Sequence, residues 1–357
     1  MTHTRLMRAL RAAAPAATMT SLALAAGVGP ASASPQTMGA TAGPRGAVGA
    51  AAQAGSSAHR TTIPVTAYVL DDSYSQVIPI RTATNTALPP IQLGGKPVAI
   101  AITPNGNTAY VVNGDSLTPI RTATNAALSP IPVGNDPVAV AISPNGSTAY
   151  VVNRGSDTVT PIRTATNAAL SPIPAGNDPV AIAITPNGKN AYVTNNGSGS
   201  VTPIRTATNA ALTQIPVGPD PLAIAITPNG NTAYVVNDGS GTVTPIRTAA
   251  NTALSQIPVG PFPGVIAITP NGNTAYVANT FAGTVAPIRT ATNTALTQIP
   301  VGPDPDAIAI TSDGNTAYVA DLLVGSVTPI RTATNKALTA ISFGYPFHYL
   351  AAIAITP

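Results

Sequence analysis

The tripeptide Pro-Ile-Arg begins at residues 79, 119, 161, 203, 245, 287 and 329, with successive starts 40 residues apart once and 42 apart five times. A period near 40 belongs either to four-stranded propeller blades or to helical repeats. The apolar runs inside one period decide between them, because they are short, β-branched and separated by turn residues. In the run 138–143, Val138, Val140 and Ile142 fall on one face and Ala139 and Ala141 on the other. Large on one side and small on the other suits an innermost strand wedged between neighbouring sheets that taper toward an axis. Asn145-Gly146 then predicts a two-residue hairpin. TAYVVN (148–153), TVTPIRT (158–164) and residues 169–175 follow as second, third and fourth strands. Pro161 predicts a bulge or early break in the third strand, since proline cannot donate to a ladder. Pro172 and Pro174 predict a short, irregular outer edge protected against edge-to-edge pairing. No stretch spaces helix formers amphipathically, which excludes a helical solenoid.

Counting the repeats gives the architecture. The first ordered stretch, from about Ile63, reads as a second strand lacking its first. The last, AAIAITP at 351–357, reads as a first strand lacking its second. Together they complete one blade, so the expectation is an all-β, seven-bladed β-propeller of four-stranded blades over 63–357. The C-terminal strand is expected to close the ring by pairing with the N-terminal strands.

The segments before it read differently. Arg5, Arg8 and Arg11, an Ala/Leu-rich run and Ala31-Ser32-Ala33 match a secretory signal peptide over 1–33. Residues 34–62, rich in Ala, Gly, Ser and Thr with no apolar period, read as a flexible leader. The expected destination is therefore secretion or the cell surface, without a membrane span in the mature chain. Removing the signal leaves 13 of the 16 bases against 12 acids, so the basic balance of the whole chain is weak support for nucleic-acid binding. The chain has no Cys, which excludes a disulfide framework, a cysteine nucleophile and a thiolate metal site. It also has no Glu, so every acid is an Asp.

Tyr192-Val193-Thr194-Asn195, with the variants Tyr150–Asn153 and Tyr234–Asn237, resembles the YVTN-repeat, surface-layer-type β-propeller family. The resemblance covers roughly residues 63–357. It implies the propeller fold, and a range of functions that includes binding proteins, exported DNA-binding proteins and distant lactonase and lyase relatives. The chain departs from the family where V-I-D-T-A-T-N is usual, since it carries Arg in P-I-R-T-A-T-N.

Strand alternation puts the Asn-Gly and T-A-T-N turns on one face of the disc and the variable loops on the other. The first face should carry Arg81, Arg121, Arg163, Arg205, Arg247, Arg289 and Arg331, about two strand steps or ~10 Å outside the inner strand. This ring suits weak, salt-dependent binding of a polyanion such as a wall polymer or nucleic acid. The competing reading is structural, with each Arg stem covering apolar strand and its head bonding turn carbonyls. On the opposite face Asp136, Asp178, Asp220 and Asp304 stand in inter-blade loops, with Lys96 and Phe262 at the equivalent places in two others. Such oxygen-rich loops could hold Ca²⁺, which takes six to eight ligands; equally, Asp before Pro is ordinary turn chemistry. His348, among Phe343, Tyr345, Phe347 and Tyr349, reads either as a general base or as aromatic packing at the closing seam. The strand tyrosines Tyr68, Tyr110, Tyr150, Tyr192, Tyr234, Tyr276 and Tyr318 read as inter-blade core.

Three functions follow as expectations. The first is an exported, non-catalytic binding or scaffold propeller at the cell envelope, too sparse in acid/base groups for catalysis and acting as a monomer on an unknown extracellular ligand. The second is a metal-dependent lactonase- or lyase-type enzyme built on the loop aspartates and His348. The third is polyanion or DNA binding through the arginine ring.

Overall fold

The computed structural model describes residues 66–342 except Thr82 and Leu322. The expected signal peptide, leader, closing strand and His348 lie outside the described residues.

Seven antiparallel sheets follow one another along the chain, over residues 66–92, 97–132, 137–174, 179–216, 221–258, 263–300 and 305–342. They are called blades 1 to 7 below. The inner strands of blades 2 to 7 run from Pro97–Ile102 to Pro305–Ile310, and those of blades 2 to 6 each pack against the inner strand of the next blade. This is the β-propeller expected from the repeat. Among the described residues the only helical elements are three single 3₁₀ turns, Arg154–Ser156, Asp238–Ser240 and Thr280–Ala282, and no helix is long and apolar enough to cross a membrane.

Neighbouring inner strands interlock, large face against small. Between blades 2 and 3, Ala99, Tyr110, Val112, Leu117 and Ile131 of one sheet pack against Val140, Ile142, Val151 and Ile162 of the next. Between blades 3 and 4, Ala139, Ala141 and Tyr150 receive Ile182, Val193 and Ile204. The small face of each inner strand thus accepts the branched face of its neighbour, and the same interlock recurs further round. Each buried Val or Ile contributes roughly 1.5–3 kcal/mol. The stability of a chain without disulfides therefore resides in these inter-blade seams.

A polar latch sits inside the seams that join blades 2 to 7. The Tyr110, Tyr150, Tyr192, Tyr234 and Tyr276 side chains are fully buried. Each hydroxyl donates to the Asn side-chain oxygen of the T-A-T-N turn (T-A-A-N in blade 5) in the following blade, for example Tyr192 to Asn251 Oδ1 at 2.6 Å and Tyr234 to Asn293 Oδ1 at 2.6 Å. Those asparagines hold left-handed backbone, with φ between 50° and 54°, a region Asn tolerates far better than β-branched residues. The final Asn of the Tyr-Val-Thr-Asn stretch has a separate task. Asn195 is wholly buried; its Nδ2 donates to Ser200 Oγ and Thr202 Oγ1, and its Oδ1 accepts the Gly176 N–H at 3.1 Å.

Two local expectations are corrected. The Asn-Gly turn is longer than two residues: Gly146 N–H donates to Ser143 O at 2.7 Å, closing a four-residue turn with Gly146 at φ 72°. Asn145 organises this loop, since its Oδ1 accepts from Ser143 Oγ and from Ser147 N–H and Oγ. Pro161, in turn, causes neither bulge nor break in the third strand, which runs unbroken over Thr158–Arg163 in regular register with Thr148–Asn153. Its carbonyl accepts Leu170 N–H, so its backbone polar groups face outward. The missing N–H is therefore lost to the outer strand alone, and that strand is split into Ala168–Ala169 and Ile173–Pro174. The bulge lies instead at the entry of the inner strand, between Pro137 and Ala139.

Candidate functional site: two oppositely charged faces

The repeated arginines end the third strands. Strand alternation buries Ile162 and turns Arg163 outward, opposite Thr148 on one side and Ala168 on the other. The backbone here is fixed from both sides. Arg163 O accepts Thr166 N–H, and Thr164 Oγ1 donates to Gly146 O at 2.6 Å, tying the T-A-T-N turn to the Asn-Gly turn beneath it. All seven arginines are exposed. Among the described residues none of their guanidinium groups has a hydrogen bond or ion pair. The expectation that they bond turn carbonyls is therefore not met; the arginine backbone carbonyls serve the turns, while the charged heads face water.

Lys189, in the Asn-Gly turn of blade 4, and Lys336, at the start of the outer strand of blade 7, join the same face. Its one acid is Asp313, which caps its own turn by accepting from Thr311 Oγ1 and Asn315 N–H. These bonds hold its carboxyl below the usual carboxylate range. Nine bases thus face one acid.

The opposite face carries the other eleven acids against Lys96 and Arg154. Asp71 and Asp321 end second strands; Asp72, Asp115, Asp157 and Asp238 lie in the turns that follow second strands; Asp136, Asp178, Asp220, Asp304 and Asp306 lie in or just after the inter-blade loops. The loop aspartates adopt left-handed backbone, with φ 48°, 53°, 51° and 61° at Asp136, Asp178, Asp220 and Asp304, and Phe262 does the same at 56°. Their carbonyls receive the N–H of Arg154, Asn196, Asp238 and Thr280, at Asp136, Asp178, Asp220 and Phe262 respectively. This is turn chemistry, as one of the two readings expected.

Asp136 and Asp178 share a cation. Arg154 lies 2.6 Å from Asp136 Oδ2 and 3.8 Å from Asp178 Oδ1. Asp157 Oδ1 accepts Asp178 N–H at 2.8 Å. Burial raises the Asp178 carboxyl pKa, Arg154 opposes that, and Asp157 and Asp136 add to it. Phe262 packs edge-on against Phe281 with ring centroids 5.3 Å apart. Among the described residues no three His, Asp or Glu side chains come together as a metal-ligand set. The deepest-set acid is Asp321, wholly buried at the place where blades 2 to 6 have Asn; its Oδ2 accepts Ser326 Oγ and Thr328 Oγ1, each at 3.0 Å. Burial raises its pKa, and those hydroxyls pull it back.

The sequence reading located the arginine ring and the four loop aspartates. It did not single out Lys189, Lys336, Arg154, Asp115 or Asp157. The signal was present, because assigning each charge to its end of a strand would have sorted nearly all acids from nearly all bases.

Comparison with family models finds none that matches, and comparison with curated proteins finds no relative in sequence. Solved structures do match in shape. Hydrazine synthase of Kuenenia stuttgartiensis aligns at TM-score 0.63 and 22% identity, over 75% of this chain and 92% of that one. A functionally unknown protein from Desulfotomaculum acetoxidans aligns at TM-score 0.64 and 19% identity, over 78% and 95%. A putative 6-phosphogluconolactonase from Bacteroides fragilis aligns at TM-score 0.62 and 19% identity, over 82% and 98%. At such identities the likeness carries the fold alone, and the fold of this chain is a seven-bladed β-propeller.

Proposed function

We propose that this protein is an exported, non-catalytic binding propeller of the YVTN-repeat type, acting at or near the cell envelope, which takes an extended polyanion across its arginine face. One observation carries the reading: seven arginines at one register position, all exposed and without partners, on a face with a single acid. A ring of this kind cannot converge on one small anion. It suits a repeating charge, such as the phosphates of a wall polymer or of nucleic acid, bound mainly by counterion release. The strand tyrosines of blades 2 to 6 contribute no stacking platform for bases, since they are fully buried. A metal-dependent lactonase or lyase would need Asp136, Asp178, Asp220 and Asp304 to converge, whereas Asp136 and Asp178 share Arg154.

The test is titration with polyphosphate and with a single-stranded oligonucleotide over a range of salt. Each phosphate contact contributes about −0.7 to −0.9 to the slope of log K against log salt. Replacing Arg163, Arg205 and Arg247 with Gln should weaken binding and flatten that slope by up to about two to three. Binding indifferent to salt, or unchanged in the triple variant, overturns the proposal.

A further inference from the structure

We infer that copies of this protein stack head to tail, the arginine face of one disc on the aspartate face of the next. The inference stands on charge placement on both faces and does not depend on polymer binding. Within the described residues eleven bases and twelve acids nearly cancel, so one disc does not repel another by net charge. The charges are nevertheless separated: nine bases and one acid on one face, eleven acids and two bases on the other. Five of the acids, Asp72, Asp115, Asp136, Asp157 and Asp220, are exposed.

Copying of a repeat would by itself place one Arg and one loop Asp at opposite ends of each blade. The charges outside those two repeated positions provide an independent check. Lys96 breaks the pattern at one loop position, but eleven charged residues in the described chain occupy neither position, and nine of them still obey the polarity. Lys189 and Lys336 fall on the basic face, while Asp115, Asp157 and Asp306 are among the seven on the acidic one. Of the two exceptions, Arg154 is paired with Asp136 and Asp313 is bonded within its own turn. Individually substituted positions thus reinforce the separation that the repeat began.

Two such faces attract when brought together and fix orientation as well as contact. Because the two surfaces differ, the contact is heterologous, and stacking along the disc axis does not close. The product is a linear series of variable length. The recurrence of the Arg in all seven blades and of the loop Asp in four offers several rotational registers.

The experiment is sedimentation velocity of the full protein without added polymer, across protein concentration, at ~10 mM and ~500 mM salt, between which the screening length falls from about 30 Å to a few ångströms. Expected are concentration-dependent species larger than one chain at low salt that revert to monomer at high salt. The variant Arg163→Gln/Arg205→Gln/Arg247→Gln should remain monomeric. Substitutions at exposed positions without partners change stability little, so folding is retained. Because the variant keeps its aspartate face, a minor fraction of it added to wild-type protein should cap stacks and shorten them. A monomer at low salt, association unaffected by salt, or a variant that neither loses stacking nor caps it overturns the inference. Failure of the polyphosphate titration with salt-sensitive stacks intact would remove the polymer reading and leave this one standing.

Discussion

Alkaline unfolding tests the tyrosine latch quantitatively. Burial pushes the hydroxyls of Tyr150, Tyr192, Tyr234 and Tyr276 up to about 12 from an ordinary value near 10. A group whose folded pKa is raised contributes stability that is complete below the unfolded pKa and is lost as pH rises toward the folded one. The window is therefore pH 10 to 12. At pH 11 the unfolded chain has ionised these hydroxyls and the native state has not, at roughly 1.4 kcal/mol each. Four of them remove roughly 5 kcal/mol, comparable with the whole stability of many domains. Tyrosinate absorbance and circular dichroism should therefore change together, steeply, between pH 10 and 12. Tyr192→Phe sharpens the test. At pH 7 it forfeits the 2.6 Å bond to Asn251 and the 3.1 Å bond to Thr248 O, costing about 1 kcal/mol while the ring packing stays. At pH 11 the variant also lacks one of the four ionising groups, so its deficit should vanish. Urea midpoints at both pH values give the comparison. Tyrosines that ionise near pH 10 with the sheet signal intact, or a Tyr192→Phe deficit that is constant with pH, would refute the latch.

Asp321→Asn should stabilise the protein at pH 7 by about 1 kcal/mol, since Asn serves at the equivalent place in other blades. The gain should vanish near pH 3, because a raised folded pKa means the carboxyl is destabilising only when ionised; equilibrium unfolding at both pH values checks this. Gly176→Ala should cost about 1–3 kcal/mol in urea unfolding, as its Cβ would come within 2.7 Å of Asn195 Nδ2. Arg154→Ala leaves Asp136 and Asp178 without their shared cation, but on this half-exposed surface the loss should stay below about 1 kcal/mol and disappear in high salt.

The repeat made most of the fold legible. The alternation of Val138, Val140 and Ile142 with Ala139 and Ala141 carried the packing of neighbouring blades, because a period of two assigns each side chain to a face. The turn at Asn145-Gly146 was misjudged because a side-chain bond from Ser143 extends it, and propensity rules count only backbone turn types. Pro161 was misjudged because the rule concerns a lost ladder bond without saying on which side of the strand it falls. Register with Tyr150 and Leu170 supplies that side, and it is a tertiary fact. At the site, the identity of the arginines was readable, whereas the fate of their heads was not: stem packing and exposure look alike in sequence.

The two faces explain why so sparsely charged a chain can still present strong fields. Only 8% of residues are charged, and the seams between blades contain none of the repeated arginines or loop aspartates. Each blade instead places its charges at strand ends, where a turn already holds the backbone and water solvates the head. Adding a blade therefore adds area to the core and opposite charge to the two rims, with little change in net charge. Neutralising one rim should leave blade packing untouched while abolishing whatever that face binds, so stability and binding can be perturbed separately. A propeller in which Arg163, Arg205 and Arg247 are Gln should unfold within about 1.5 kcal/mol of the parent. A larger loss would mean that these arginines serve the fold, and the reading of the basic face as a binding surface would fall with it.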